Sequence, residues 1–386
     1  MLKCLYNFRK GDFMKILIFY ASYGGGHLNA AKSINEYITQ NYENTDVEMI
    51  DCMKYVNKPI EKITTDAYKE MAKKAPWAWG KIYADAQKGP IAHISEKSNQ
   101  IMAIKLLKLL REKQPDLIIS THPFGSQMCS YLKRKGKIHA KIATILTDFA
   151  PHDQWLVGHE YTDYYFVAHD KMKQYLISKD INESRVFDTG IPISGRFSKK
   201  YDRKSIFNEF ELIDGKQTIL FFGGGEYGLG KSKTLKIFES FVQCSEDIQV
   251  IAIAGKNPEM KSAFEQIVKE NNKTETIKVL PFTDKVPELM YISDLVVTKP
   301  GGLTTSESLA SHLPMVIINP IPGQEEENAE FLEEKGIALW LKHIDSAKII
   351  IELLLTNKDK LKSMKENTKI LARPTSTANI CKTLLD

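Results

Sequence analysis

The stretch Asp294-Leu295-Val296-Val297-Thr298-Lys299-Pro300-Gly301-Gly302-Leu303-Thr304-Thr305-Ser306-Glu307 decides the fold. Leu295-Val296-Val297 is an apolar run, which predicts a buried strand covered by helices on both sides. The proline and paired glycines end it, and a helix starts in the small polar residues that follow. A strand that turns into a helix through glycines leaves free backbone N–H groups. They lie at the positive end of the helix dipole and favour an anion, most simply a phosphate. A second polar group, Pro322-Gly323-Gln324-Glu325-Glu326-Glu327-Asn328-Ala329, follows within reach of the same turn.

The same alternation extends outward through the chain. Lys15-Ile16-Leu17-Ile18-Phe19-Tyr20, Val47-Glu48-Met49-Ile50, Asp116-Leu117-Ile118-Ile119, Ile142-Ala143-Thr144-Ile145-Leu146 and Tyr164-Tyr165-Phe166-Val167 predict five buried strands in the first half. Thr218-Ile219-Leu220-Phe221-Phe222, Gln249-Val250-Ile251-Ala252-Ile253, Ile277-Lys278-Val279-Leu280, Leu295-Val296-Val297 and Met315-Val316-Ile317-Ile318 predict five in the second. Helical stretches separate them, so the fold class is α/β with parallel sheets, built as two facing Rossmann-like domains. The charged stretch 198–204 and the turn Asp214-Gly215-Lys216 divide the halves. The expected domains are residues 1–200 and 216–365, with 366–386 as a C-terminal helix able to pack back on the first. Ligands in such sheets bind beyond the carboxyl ends of the strands.

Size and composition fit this plan. The chain has 386 residues, 43% hydrophobic and 26% charged, enough for two ordinary domains. No run is long and apolar enough to cross a bilayer, and the first ten residues lack an export signal's apolar core, so a cytoplasmic or membrane-peripheral location is expected. Met14 directly precedes the first strand, so residues 1–13 read as an extension. Five widely spaced cysteines, with no C-x-x-C pair, indicate neither a disulfide framework nor a zinc site.

The net charge of +5 is unevenly spread. Residues 54–113 hold 13 Lys and Arg against six Asp and Glu, together with Trp77, Trp79, Ile82, Tyr83 and the aliphatic run 101–110. Basic residues interleaved with aromatic and aliphatic ones suit a segment lying on an anionic membrane surface. A solvated helical face over ordinary core residues has the same composition, and both readings are open. No nucleic-acid partner is expected.

Each half opens with a glycine cluster, Gly24-Gly25-Gly26-His27 in the first and Gly223-Gly224-Gly225-Glu226-Tyr227-Gly228 in the second. With Asp51 closing the second strand, the first cluster invites a dinucleotide reading and NAD. Asn29 stands where the third glycine of that fingerprint belongs, so an NAD-linked oxidoreductase is only the second reading. His27, on a turn at a strand's carboxyl end, can accept a proton at neutral pH. It can equally be a capping or packing histidine. Asp148, His152 and Trp155 follow the fourth strand and offer a carboxylate, an imidazole and a large aromatic, or else a helix cap and core.

Taken together, Gly24-Gly25-Gly26-His27, Thr147-Asp148-Phe149 with His152 and Trp155, Thr189-Gly190-Ile191-Pro192-Ile193, Lys299-Pro300-Gly301-Gly302-Leu303-Thr304 through Glu307, and Pro322-Gly323-Gln324-Glu325 through Ala329 resemble the processive diacylglycerol glucosyltransferase and monogalactosyldiacylglycerol synthase group of glycosyltransferase family 28. The same domain plan is similar to the peptidoglycan N-acetylglucosaminyltransferase that makes lipid II. The resemblance implies the GT-B architecture and inverting, metal-independent transfer of a hexose, glucose by preference, from a UDP-sugar to diacylglycerol. No cofactor is implied, the UDP-hexose being a co-substrate. Another lipid-linked acceptor is the alternative, as is a sugar-nucleotide sensor that has lost catalysis.

On these positions the resemblance implies Glu307 at the ribose hydroxyls and Gly301, Gly302, Leu303 and Thr304 at the diphosphate, aided by Gly224 and Gly225. The uracil would lie against the Phe282 turn, and Gln324 and Glu325 would hold the sugar. His27 would be the general base, with Asp148 and His152 orienting it or sharing the task. The segment 54–113 would dock on the inner face of the cell membrane. Leu28, where relatives often carry a polar or basic residue, and the acidic Glu226-Tyr227 depart from the pattern and bear on which hexose and acceptor are used.

Overall fold

A computed structural model describes residues 13–22, 25–56, 90–224 and 230–386, and for 90–101 the backbone course alone. The chain divides into two units. One runs up to Gly195 and takes in Thr375–Asp386; the other covers Arg196–Pro374. The boundary thus falls upstream of the charged stretch 198–204, and residues 203–209, expected between the domains, form a helix of the second unit.

In the first unit the elements are β1 (Met14–Tyr20), α1 (Gly25–Asn41), β2 (Thr45–Asp51), α2 (Pro90–Lys113), β3 (Leu117–Ser120), α3 (Pro123–Arg134), β4 (Lys141–Ile145), β5 (Tyr164–Phe166), α4 (Asp170–Ile177) and β6 (Val186–Phe187). All described strands pair in parallel, in the order β2-β1-β3-β4-β5-β6. Alternate residues of β1 serve opposite faces, as the two-residue period requires. Leu17 and Phe19 join Met128 and Leu132 of α3 and Leu106 and Leu110 of α2. Ile16 and Ile18 join Ala31, Ile34 and Ile38 of α1 on the other side. With both faces covered, the strands read as unbroken apolar runs.

The second unit contains α5 (Arg203–Glu209), β7 (Gln217–Phe222), α6 (Lys231–Val242), β8 (Ile248–Ile253), α7 (Pro258–Glu270), β9 (Ile277–Leu280), α8 (Val286–Ile292), β10 (Leu295–Thr298), α9 (Gly302–Ala310), β11 (Met315–Ile317), α10 (Gln324–Glu334), β12 (Ala338–Trp340), α11 (Ala347–Thr356) and α12 (Lys358–Leu371). Its parallel sheet runs β12-β11-β10-β7-β8-β9. Phe221 meets Phe238 and Phe241 of α6 and Phe264 of α7 edge to face at its centre. The last helix, α13 (Ser376–Leu385), belongs to the first unit, where Ile380, Cys381 and Leu384 are buried against Ile34 and Ile38. Only this helix returns; α12 stays with the second unit.

Both sheets reverse their winding beside their first strand. The reversal lies between β1 and β3 in the first and between β7 and β10 in the second. There the connections leave towards opposite faces and open a crevice at the carboxyl ends, the usual ligand position in open α/β sheets. The sequence expected five strands in each unit and the structure has six. The additional strands, β6 and β12, are two and three residues long, too short to carry a period.

Candidate functional site

In the first unit the loops after β1, β3 and β4 converge on His27. It sits in the first turn of α1, half-buried, with its Nδ1 2.7 Å from the Thr121 carbonyl oxygen and 3.0 Å from Thr147 Oγ1. Thr121 follows β3, and its hydroxyl donates to the His27 carbonyl at 2.9 Å, so one residue holds both the ring and the main chain of the histidine. Next to it, His122 caps α3, accepting from the Phe124 N–H, with Pro123 opening the helix. The His122 ring stands edge-on to His27 with centroids 4.6 Å apart.

Burial keeps these histidines neutral. The surrounding protein lowers His27 to about 4, against the opposing pull of the Thr121 hydrogen bond. His152 is lowered to about 4 by burial and by the charge His27 would carry, with Asp153 acting in the opposite sense. His122 lies well below its ordinary value through burial and then through the other two imidazoles. A positive charge on any one of the three disfavours a second.

Asp148 is buried beside Thr147, and Trp155 is 1% exposed, part of the core. From this loop Thr147 Oγ1 reaches His27 Nδ1 at 3.0 Å. Asp51 accepts from Ser22 Oγ at 2.5 Å and from the Lys54 N–H at 3.0 Å, with Lys54 Nζ at 3.6 Å. Its carboxylate is committed within the protein, which leaves the NAD reading without its ribose partner. Gly24 lies outside the described residues, as do Trp77, Trp79, Ile82 and Tyr83 of the basic segment. Ile104 of α2 is exposed beside Lys105 and Lys108.

In the second unit the opening stretch forms β10, a turn at Lys299–Gly301, and α9. Gly301 is the N-cap and supplies no side-chain acceptor, so the first N–H groups of α9 are left open. Glu307 follows on the next turn, half-buried, with no side-chain hydrogen bond among the described residues, and burial raises its carboxyl to about 8. Across from it α10 begins at Gly323, whose φ of +93° suits glycine. Asn328, fully buried, donates to the Pro300 carbonyl at 2.9 Å and ties α10 to the glycine turn.

Glu325 accepts from the Ile321 N–H at 2.7 Å; burial raises its carboxyl, and the Lys299 charge and that bond pull it back. Burial lowers Lys299, offset in part by Glu325. Gln324 is half-buried at the start of α10. Gly224, with φ of +105°, lies in the loop after β7, the strand beside β10, while Gly225 lies outside the described residues. Phe282 follows β9, 61% exposed, with Lys256 Nζ 5.3 Å from its ring centroid.

The structure therefore gathers Gly301, Gly302, Leu303, Thr304, Glu307 and Glu325 about one turn, and His27 with Thr147 and His152 about another. Sequence reading gave no role to Thr121, His122, Lys299 or Asn328. The usable signal was Ser120-Thr121-His122-Pro123, a polar capping group with proline directly after a strand beside the switch point.

The sequence matches the monogalactosyldiacylglycerol synthase family model over residues 27–193 and the glycosyltransferase family 28 C-terminal domain over 218–380. It is 31% identical to the processive diacylglycerol beta-glucosyltransferase of Bacillus thuringiensis strain Al Hakam over 96% of this chain and 93% of that protein. The Bacillus cereus strain 03BB102 enzyme of the same name is also 31% identical, with the same coverage. Among solved structures, Acinetobacter baumannii MurG superposes with a TM-score of 0.65 at 14% identity, covering 96% of this chain and 99% of that one. Neisseria meningitidis UDP-GlcNAc 2-epimerase bound to UDP-GlcNAc gives 0.63 at 14%, covering 96% and 100%. These likenesses show the two-domain GT-B fold. The chain belongs to the processive diacylglycerol glucosyltransferase and monogalactosyldiacylglycerol synthase group of glycosyltransferase family 28.

Proposed function

We propose that the protein is an inverting glycosyltransferase that moves a hexose, glucose by preference, from a UDP-sugar to diacylglycerol at a membrane surface. The observation that carries this reading is the uncapped N-terminus of α9 with the half-buried Glu307 one turn on, its carboxylate without a hydrogen bond among the described residues. The open N–H groups of Gly302, Leu303 and Thr304 suit a diphosphate, and a carboxylate suits the two hydroxyls of a ribose. Phe282 would flank the uracil, and Gln324 and Glu325 the hexose. Charge that develops on the leaving diphosphate would be stabilised by these fixed donors, by Lys299 and by the backbone at Gly224 and Gly225, without a divalent cation.

His27 would take the proton of the acceptor hydroxyl. Its neutral state is supported by the burial described above. The protein would work as a peripheral protein on the inner face of the cell membrane, with the basic segment 54–113 towards the lipid; among the described residues no helix is long and apolar enough to cross a membrane.

Incubation with labelled UDP-glucose and diacylglycerol vesicles in the presence of EDTA tests the proposal. Label is expected in the lipid phase, less with UDP-galactose or UDP-N-acetylglucosamine, and none with His27→Ala, which still binds UDP. Absence of lipid-phase label from every donor, with UDP binding intact, would favour the sensor reading.

A further inference from the structure

Two oxygens meet one nitrogen of His27. The Thr121 carbonyl lies 2.7 Å from Nδ1, and a carbonyl can only accept, so Nδ1 carries the hydrogen. Thr147 Oγ1, 3.0 Å from the same nitrogen, then has no lone pair to donate to and must share that hydrogen as a second acceptor. The hydroxyl of Thr121, bound to the His27 carbonyl, fixes the backbone from which the ring hangs. The lone pair of the imidazole is left on Nε2.

We propose that Thr147 is a positioning residue which, with the Thr121 carbonyl, holds His27 as the Nδ1–H tautomer and stabilises the imidazolium formed when Nε2 takes a proton. This rests on the reading of His27 as the base. In the step itself, the acceptor oxygen bonds to the anomeric carbon as its proton passes to Nε2. The bond from that carbon to the diphosphate oxygen breaks, and its electron pair leaves with the nucleoside diphosphate. The imidazolium keeps Nδ1–H shared between two neutral oxygens. Two oxygens therefore do here what an aspartate does in a hydrolase triad, at lower basicity.

The titratable groups around the ring are His122, at the N-cap of α3, and His152, in the loop after β4, with Asp153 acting on His152 and Asp148 adjoining Thr147 in the chain. A charge on His27 lowers both histidines, and the two acceptor oxygens are the hydrogen-bond support that the described residues give its Nδ1–H.

The tautomer can be read without activity, from the nitrogen-15 chemical shifts of His27 in the ligand-free protein. A hydrogen on Nδ1 is expected; a hydrogen on Nε2 overturns the inference whatever the enzyme does. Kinetics test the hydroxyl. Thr147→Val is expected to lower kcat about 10- to 100-fold, the loss of one hydrogen bond to a charged group, with KM nearly unchanged and with Thr147→Ser restoring the rate. Removing a group that supports the cation lowers the pKa of His27, so the acid limb of the kcat/KM profile, expected near pH 4 in the native enzyme, should move down. Simple loosening of the site would admit water and move that limb up. A limb that stays or rises, or a serine variant as slow as the valine one, overturns the proposal. If His27→Ala turns over normally, the base reading and this inference both fall. If it is inactive while Thr147→Val behaves as native, only this inference does.

Discussion

Glu307 sets the residue scale. Its carboxyl titrates at about 8 because burial penalises the charge, yet hydroxyl donors from a ribose favour the ionised form. Binding then releases a proton, so affinity for UDP should rise with pH up to about 8 and flatten above it. Titration calorimetry over this range should show that slope in the native protein and lose it in Glu307→Gln; an identical slope in both would remove Glu307 from the ribose. Stability runs the other way. The folded carboxyl is raised, so between its unfolded value and about 8 the unfolded chain has already lost the proton and the ligand-free fold weakens as pH rises. Glu307→Gln should therefore unfold at a higher temperature at pH 8 while binding UDP more weakly. The glycine turn and Glu307 are legible from the sequence because their residue types are distinctive. Thr121 is not, since its carbonyl is a group that every residue owns.

At the scale of elements, α9 and α10 act as a pair. Asn328 is 28 positions from Pro300 along the chain, and only the fold shows that its amide fastens the turn before α9. Asn328→Ala leaves the Pro300 carbonyl without that donor, which should cost about 1–3 kcal/mol of stability in the second unit. It should also weaken UDP binding, because the open N–H groups of α9 lose their fixed direction. Thermal unfolding with and without UDP measures both, and an unchanged ligand-induced shift would detach α10 from the nucleotide. Strands such as β1, β3 and β10 are plain in the sequence because burial on both faces writes an unbroken apolar run. Strands β6 and β12 are not, being specified by the neighbours they pair with rather than by their own residues.

For the whole molecule, the decisive feature is the double passage of the chain among the described residues, at Gly195 to Arg196 and again at Pro374 to Thr375. Sequence can place a helix over residues 376–385 from its apolar spacing, but its partner, α1, lies at the other end of the chain. Without α13, the faces of Ile34 and Ile38 lose Ile380 and Leu384, each such side chain contributing about 1.5–3 kcal/mol when buried. A chain ended at Pro374 should show a separate, lower-temperature unfolding transition, lose lipid glucosylation and still bind UDP; a single transition at the native temperature would contradict this. The placement of α13 also orders events on the ribosome. The second unit is fully synthesised while the first still lacks its closing helix, so the half of the protein made first finishes folding last. Until α13 has emerged, α1 presents an uncovered apolar face. A chaperone that shields aliphatic surface has its natural substrate there, and a late frameshift would be felt at the opposite end of the sequence.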